Sequence, residues 1–205
     1  VYMVLLAGVN SLLHKYTGEE HVLLGIPVAE TGSSAAKQLN SMLILKSTLD
    51  ATTTFRSLLS QIKAGISDAI EHQNIPFWTY TEGLDIPRSK GDKPLFHTVV
   101  SLHNLHGAAW MGEVDAELHV QFGWEDAVAS LTMTYSSSRY NEAAIASFGE
   151  QLSRFYAVAL HQPELVLSNV EILSVQDTDR LKYTFNDTTV DYPRESSIEE
   201  LFAQQ

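Results

Sequence analysis

The chain has 205 residues, a formal net charge of −12, eight histidines and no cysteine. Without cysteine, disulfides, thiolate nucleophiles and cysteine-based zinc sites are excluded. The acidic balance repels phosphate backbones, and the 13 Lys and Arg are scattered, so nothing marks a nucleic-acid partner. Hydrophobic residues at 44% and charged residues at 19% are an ordinary globular balance, which excludes disorder and coiled coil. The apolar opening Val1 to Leu13 is too short to span a bilayer and lacks the basic flank of a signal peptide. A cytoplasmic location is the expectation. The start at Val rather than Met suggests a piece of a longer chain.

In chain order, Leu5, Leu6, Val9, Leu12, Leu13 and Tyr16 recur at helical spacing, with Gly18 as the stop. His21 to Val28 reads as a strand buried on both faces, and Met42 to Leu49 as a second strand. Glu30 to Gln38 is a loop by composition. Phe55 to Ile70 is the clearest helix, with one stripe from Phe55 through Leu58, Leu59, Ile62, Ile66 and Ala69 to Ile70, and Thr54 as N-cap. Pro76 breaks the chain after it, and Thr79 to Pro94 is irregular. Leu95 to Leu102 is strand-like, and a looser stretch with Gly107, Gly112 and three acids follows. Ala127 to Tyr135 alternates as a half-buried strand. Asn141 opens a long helix that Pro163 ends, and Ser174 with Asp177 starts a short one. Thr184 to Ser196 reads as a polar linker, and Ser197 with Glu200 opens a last helix. Strands alternating with long helices give an α/β or α+β class with helices packed on a mixed sheet.

No self-contained active site emerges from the residues. His103 and His106, with Glu113, Asp115, Glu117 and His119 downstream, match no standard metal spacing, and solvated loop histidines are the plainer reading. The alternating acids Glu113, Asp115 and Glu117 would form one solvated face. His72 at a helix end reads as a C-terminal cap favoured by the helix dipole. Trp78, Trp110 and Trp124 read as core or lobe-contact residues. There is no G-x-S-x-G elbow, no G-x-G-x-x-G and no Walker loop.

The ordered segments do resemble a known family. SLLHKYTGEEHVLLGIPVAE (Ser11 to Glu30), HQNIPF (His72 to Phe77), PRSKGDKPLF (Pro87 to Phe96) and ILSVQDTDRLKYTFNDTTVDYP (Ile172 to Pro193) are similar, in that order, to segments of condensation domains of nonribosomal peptide synthetases. SSIEELFAQQ (Ser196 to Gln205) resembles the opening of an adenylation domain. The resemblance implies a chloramphenicol-acetyltransferase-like lobe with a mixed sheet flanked by helices. It implies that 1–173 is the C-terminal lobe, 174–195 the linker and 196–205 the start of an adenylation domain.

The implied activity is amide formation between thioesters carried on phosphopantetheine arms, with no cofactor bound to this chain directly. The implied partners are the N-terminal lobe, donor and acceptor peptidyl carrier proteins and the adenylation domain, with no membrane. Motif positions carried over are Asn40, His72, Gln73, Pro76, Phe77 and Arg88, and Asn104, after the strand 95–102, is a candidate for lining the tunnel. The family's H-H-x-x-x-D-G motif is absent, so no catalytic residue is assigned in this chain. In the later motif Arg88 is kept, while Ser89, Gly91, Asp92 and Lys93 depart from the pattern. Two alternatives stand beside this reading: a catalytically inactive docking or recruitment domain, and an unrelated metal module on His103, His106 and His119. His72, Pro76 and Phe77 also have a structural explanation, which is to fix the exit from the helix.

Overall fold

A computed structural model describes residues 1–28, 42–73, 96–106, 116–126, 128–189 and 197–203. The chain divides into two compact units, Val1–Ile172 and Leu173–Gln205. Asn40, Pro76, Phe77, Arg88, Trp78, Trp110, Glu113 and Asp115 lie outside the described residues, as does part of the proposed linker.

In the first unit, α1 spans Tyr2–Thr17. Its buried run includes Leu5, Leu6, Val9 and Leu12, and also Asn10 and Ser11, which bond back to the carbonyls of Leu6 and Ala7. A helix buried this far round packs centrally. It stops where Gly18 takes the left-handed conformation at φ 71° and donates its N–H to His14 O.

Five strands follow: β1 His21–Pro27, β2 Met42–Thr48, β3 Thr98–Leu102, β4 Leu118–Glu125 and β5 Val128–Tyr135. They form one sheet in the order β2-β1-β3-β4-β5. The β1–β3 and β3–β4 pairs are parallel, and the two outer pairs are antiparallel. One face carries Val22, Leu24, Ile26, Leu43, Leu45, Val100, Leu118, Val120 and Phe122 into the main core.

That face is covered by α1, by α2 (Phe55–Glu71) and by a long helix at Glu142–Ala159. α2 begins in a reciprocal capping box between Thr54 and Ser57, and it buries Phe55, Leu58 and Ile62. The long helix takes its cap from the Asn141 side chain and buries Phe148, Leu152 and Phe155. It ends at Ala159, with Leu160 as cap, a few residues before Pro163. The opposite face of the sheet holds only a small apolar cluster of Met42, Phe96 and Val99 among the described residues.

Several expectations change. β1 is buried on both faces only in its second half, where Leu24 to Pro27 are all buried, whereas His21 and Leu23 in its first half are exposed. β3 begins at Thr98 rather than at residue 95, and β2 ends at Thr48. The looser stretch contains β4, whose Leu118, Val120 and Phe122 alternate into the core. His103–His106 forms one helical turn, α3, rather than a loop. Ile70 closes the α2 stripe in sequence yet is half exposed, since it borders a cleft instead of the core. Glu117 is not a solvated acid; its carboxylate meets Arg139 Nε at 3.3 Å and His97 Nδ1 at 3.5 Å. Of the two readings given for Trp124, core or lobe contact, its exposure at the end of β4 removes the core one.

The second unit holds a short helix at Val175–Asp179, capped by Ser174 and Asp177. A π turn at Arg180–Thr184 follows, and the Arg180 guanidinium lies 5.0 Å from the Phe185 ring centre. Residues 185–189 are neither helix nor strand. A last helix, Ile198–Ala203, begins with the Ser197 and Glu200 hydrogen bonds its sequence calls for. Among the described residues no helix is long and apolar enough to cross a membrane.

Candidate functional site

The parallel strands β1 and β3 pair only at Leu24 with Thr98 and Gly25 with Val99. Past that point the strands part. Pro27, which has no N–H to donate, ends β1 beyond the last pair. The Tyr2 hydroxyl donates instead to Val100 O at 2.6 Å. The opening is a cleft of about 180 Å³. Ile26 and Pro27 of β1, Ile66 and Ile70 of α2, and Leu105 and His106 of α3 line it. Tyr2 and Gln73 complete the polar part of the lining, and no Asp, Glu, Lys or Arg contributes among the described residues.

Of the motif residues, Gln73 reaches this cleft, at the exit from α2. His72 stands beside it at the C-cap of α2, with its Nδ1 2.8 Å from Asp68 O and its backbone N–H on the same carbonyl. A carbonyl only accepts, so Nδ1 carries the proton. Asn104 lies in α3 on the exposed side, and its Nδ2 donates to Trp124 O at 3.0 Å. That bond ties α3 to the far end of β4.

The histidines weighed for metal do not converge. His106 is buried, stacks edge-on with Tyr2 at 4.7 Å, and its Nδ1 accepts the Leu102 N–H at 2.9 Å. Burial pushes its pKa down to about 4, so the ring is neutral at physiological pH. With Nδ1 accepting, the proton sits on Nε2. His119 faces the other side of the sheet, with Nε2 2.9 Å from the buried Ser101 Oγ, and burial lowers its pKa as well. His103 is exposed. Among the described residues no group of three His, Asp or Glu gathers as metal ligands do.

Tyr2, Ile66, Leu105 and the buried state of His106 were not visible as site features in the sequence. Each element contributes one or two residues, and no local pattern marks them. The motif that holds Gln73 and the singled-out His106 were the sequence signals near this place.

Three comparisons place the chain. The condensation-domain family profile matches residues 1–182. A mycosubtilin synthase polypeptide of Bacillus subtilis is 31% identical over all 205 residues, which span 8% of that polypeptide. The starter condensation domain of a rhizomide synthetase superposes with a TM-score of 0.65 at 17% identity, over 84% of this chain and 45% of that one. The X-domain in the complex with OxyB from teicoplanin biosynthesis superposes at 0.69 and 16% identity, over 85% and 43%. These last two show the fold: a mixed sheet flanked by helices, of the chloramphenicol-acetyltransferase type. The sequence match over residues 1–182 goes further, and the chain belongs to the condensation-domain family.

Proposed function

We propose that the chain is the C-terminal lobe of a condensation domain that joins two carrier-tethered acyl groups through an amide bond. In this reading 1–173 is the lobe, 174–195 the linker, and 196–205 the start of an adenylation domain. The lobe supplies one wall of the substrate tunnel and part of the docking surface for donor and acceptor carrier proteins. Phosphopantetheine enters on the carriers and not as a group resident in this chain. The single observation that carries the reading is the family match across 1–182. Its coverage of under half of each of the two related solved chains supports the assignment to one lobe.

The chemistry is consistent with that division. Attack of an amine on a thioester needs two substrates held together, a group to handle the amine proton, and donors for the tetrahedral oxyanion. The chain has no paired His and no H-H-x-x-x-D-G. Its three half-buried or buried histidines are engaged elsewhere, His14 by Glu19 O, His106 by the Leu102 N–H and His119 by Ser101. The proton-handling His therefore belongs to the N-terminal lobe.

The test compares the chain alone with the same chain joined to the residues that precede it in its parent synthetase. Both are given donor and acceptor carriers loaded with acyl thioesters, and amide product is followed by mass spectrometry. Product is expected only from the two-lobed protein. Product from this chain alone overturns the reading. A two-lobed protein that binds carriers without forming amide supports the docking alternative instead.

A further inference from the structure

From the cleft beyond the end of β1, between the end of α2 and α3, we infer a binding site for an uncharged, leucine-sized aliphatic side chain that presents a hydrogen-bond acceptor beside it. The inference rests on the acyl-transfer reading, because its occupant is the side chain of a tethered acyl substrate.

The place follows from topology. β1 and β3 are parallel neighbours, yet β1 hands on to β2 on one side, while β3 is followed in the sheet by β4 on the other. Where adjacent parallel strands send their chains in opposite directions, a crevice opens outside their carboxyl ends, and ligands of open α/β sheets bind in such crevices. Here the crevice lies past the pairs that end at Gly25 and Val99. The C-terminal end of α2 and the turn α3 close its sides.

Its chemistry selects the occupant. Ile26, Ile66, Ile70 and Leu105 make the walls apolar. A cavity of about 150 Å³ lined by aliphatic and aromatic residues stays dry and takes up benzene. The present cleft, at about 180 Å³, is large enough for a leucine-sized group. With no charged side chain in the described lining, an ionised ligand would lose hydration with nothing in return.

Three polar residues, Tyr2, Gln73 and His106, belong to the lining, and the Tyr2 hydroxyl is committed to Val100 O. His106 offers Nε2–H, since Leu102 occupies its Nδ1, and no described residue accepts that proton. An amide or thioester carbonyl entering with the aliphatic group can accept from that Nε2–H. The half-exposed positions of Ile70 and Leu105 leave the cleft open to an incoming group.

Binding is read directly on this chain, apart from any condensation assay, by titrating N-acetyl-leucine amide and following the Ile66 and Ile70 methyl signals by NMR. Saturable shifts are expected with N-acetyl-leucine amide, and none with N-acetyl-glutamate at the same concentrations. Ile70→Trp fills the cleft from a half-exposed position and should weaken binding by about tenfold or more. Leu105→Trp does the same from the opposite wall, so misfolding of one variant leaves the other. Thermal midpoints within a few degrees of the parent chain certify the fold.

Equal binding by a folded Ile70→Trp or Leu105→Trp variant overturns the site. So does equal binding of the charged probe, or no saturable shift at all. Binding that fails while the two-lobed protein still forms amide removes the site and leaves the reaction. Binding that persists while amide formation fails does the reverse.

Discussion

Leu23 and Leu24 are neighbours in β1, and they meet opposite surroundings. Leu24 is fully buried between the sheet and the helices, whereas Leu23 is 38% exposed on the other face. The same split runs across the sheet. Val100, Val120 and Phe122 point into the main core, while Ser101, His119 and Gln121 stand on the reverse, in line with Thr132 and Thr134 of β5. One face is built for stability, and the other carries polar groups that a packing core has no use for. The difference teaches that stability and recognition are separable in this lobe, and substitutions on the two faces should diverge.

The largest expected effect is Leu24→Ala, which leaves a cavity under α1 and should cost about 3–5 kcal/mol in urea unfolding. Leu23→Ala, one residue away, should cost about 1 kcal/mol or less, since its side chain is partly solvated already. Equal losses at the two positions would erase the distinction between the faces.

Gly25 sharpens the contrast from the reverse face. A Cβ built there would lie 2.4 Å from the Phe96 ring, in the small cluster with Met42 and Val99. Gly25→Val should therefore cost about 3 kcal/mol by overpacking. Combining it with Phe96→Ala should recover part of that loss, a coupling that a double-mutant cycle measures. If Gly25→Val is neutral alone, the Phe96 ring does not rest on Gly25.

Acid tests the cleft end of the sheet. An unfolded histidine titrates near 6.5, and burial lowers folded His106 to about 4. Between those values the unfolded chain binds the extra proton, so stability falls as pH drops from about 6.5 towards 4 and is flat below. The loss from His106 should be on the order of 2 kcal/mol. His119 is shifted in the same direction by burial and adds to the slope. His106→Gln keeps an acceptor for the Leu102 N–H and removes the titration. Denaturant midpoints from pH 7 to 4 should then show a shallower decline than in the parent chain. An unchanged slope would mean that His106 is not the group that charges.

Most of the architecture was legible because helices announce themselves in consecutive residues. The Phe55, Leu58, Ile62 spacing with Thr54 before it specified α2 and its buried face, and Gly18 and Asn141 marked ends that the backbone obeys. β4 was not legible. Its apolar residues Leu118, Val120 and Phe122 are interleaved with His119, Gln121 and Gly123, and the acids before it read as loop. Sheet partners, which lie far along the chain, decide that segment.

The cleft was less legible still. Gln73 was singled out from its motif. The cleft that Gln73 joins depends on Tyr2, Ile26, Ile70 and His106, brought together only by the parting of β1 and β3. No local rule reports that event.

The smallest expected effect is the most pointed test of the reverse face. Thr132 in β5 is exposed, pairs with Gln121 of β4 and belongs to a polar row with Ser130 and Thr134. Thr132→Ala removes a β-branched side chain from an edge strand without opening a cavity, so it should change unfolding free energy by about 0.5 kcal/mol or less. Its neighbour Met133 packs against the main core from the other face, and Met133→Ala should cost several times more. If Thr132→Ala proved as costly as Met133→Ala, β5 would be packed on both faces. The polar row would then be part of the folding core rather than a surface left available for substrate or partner.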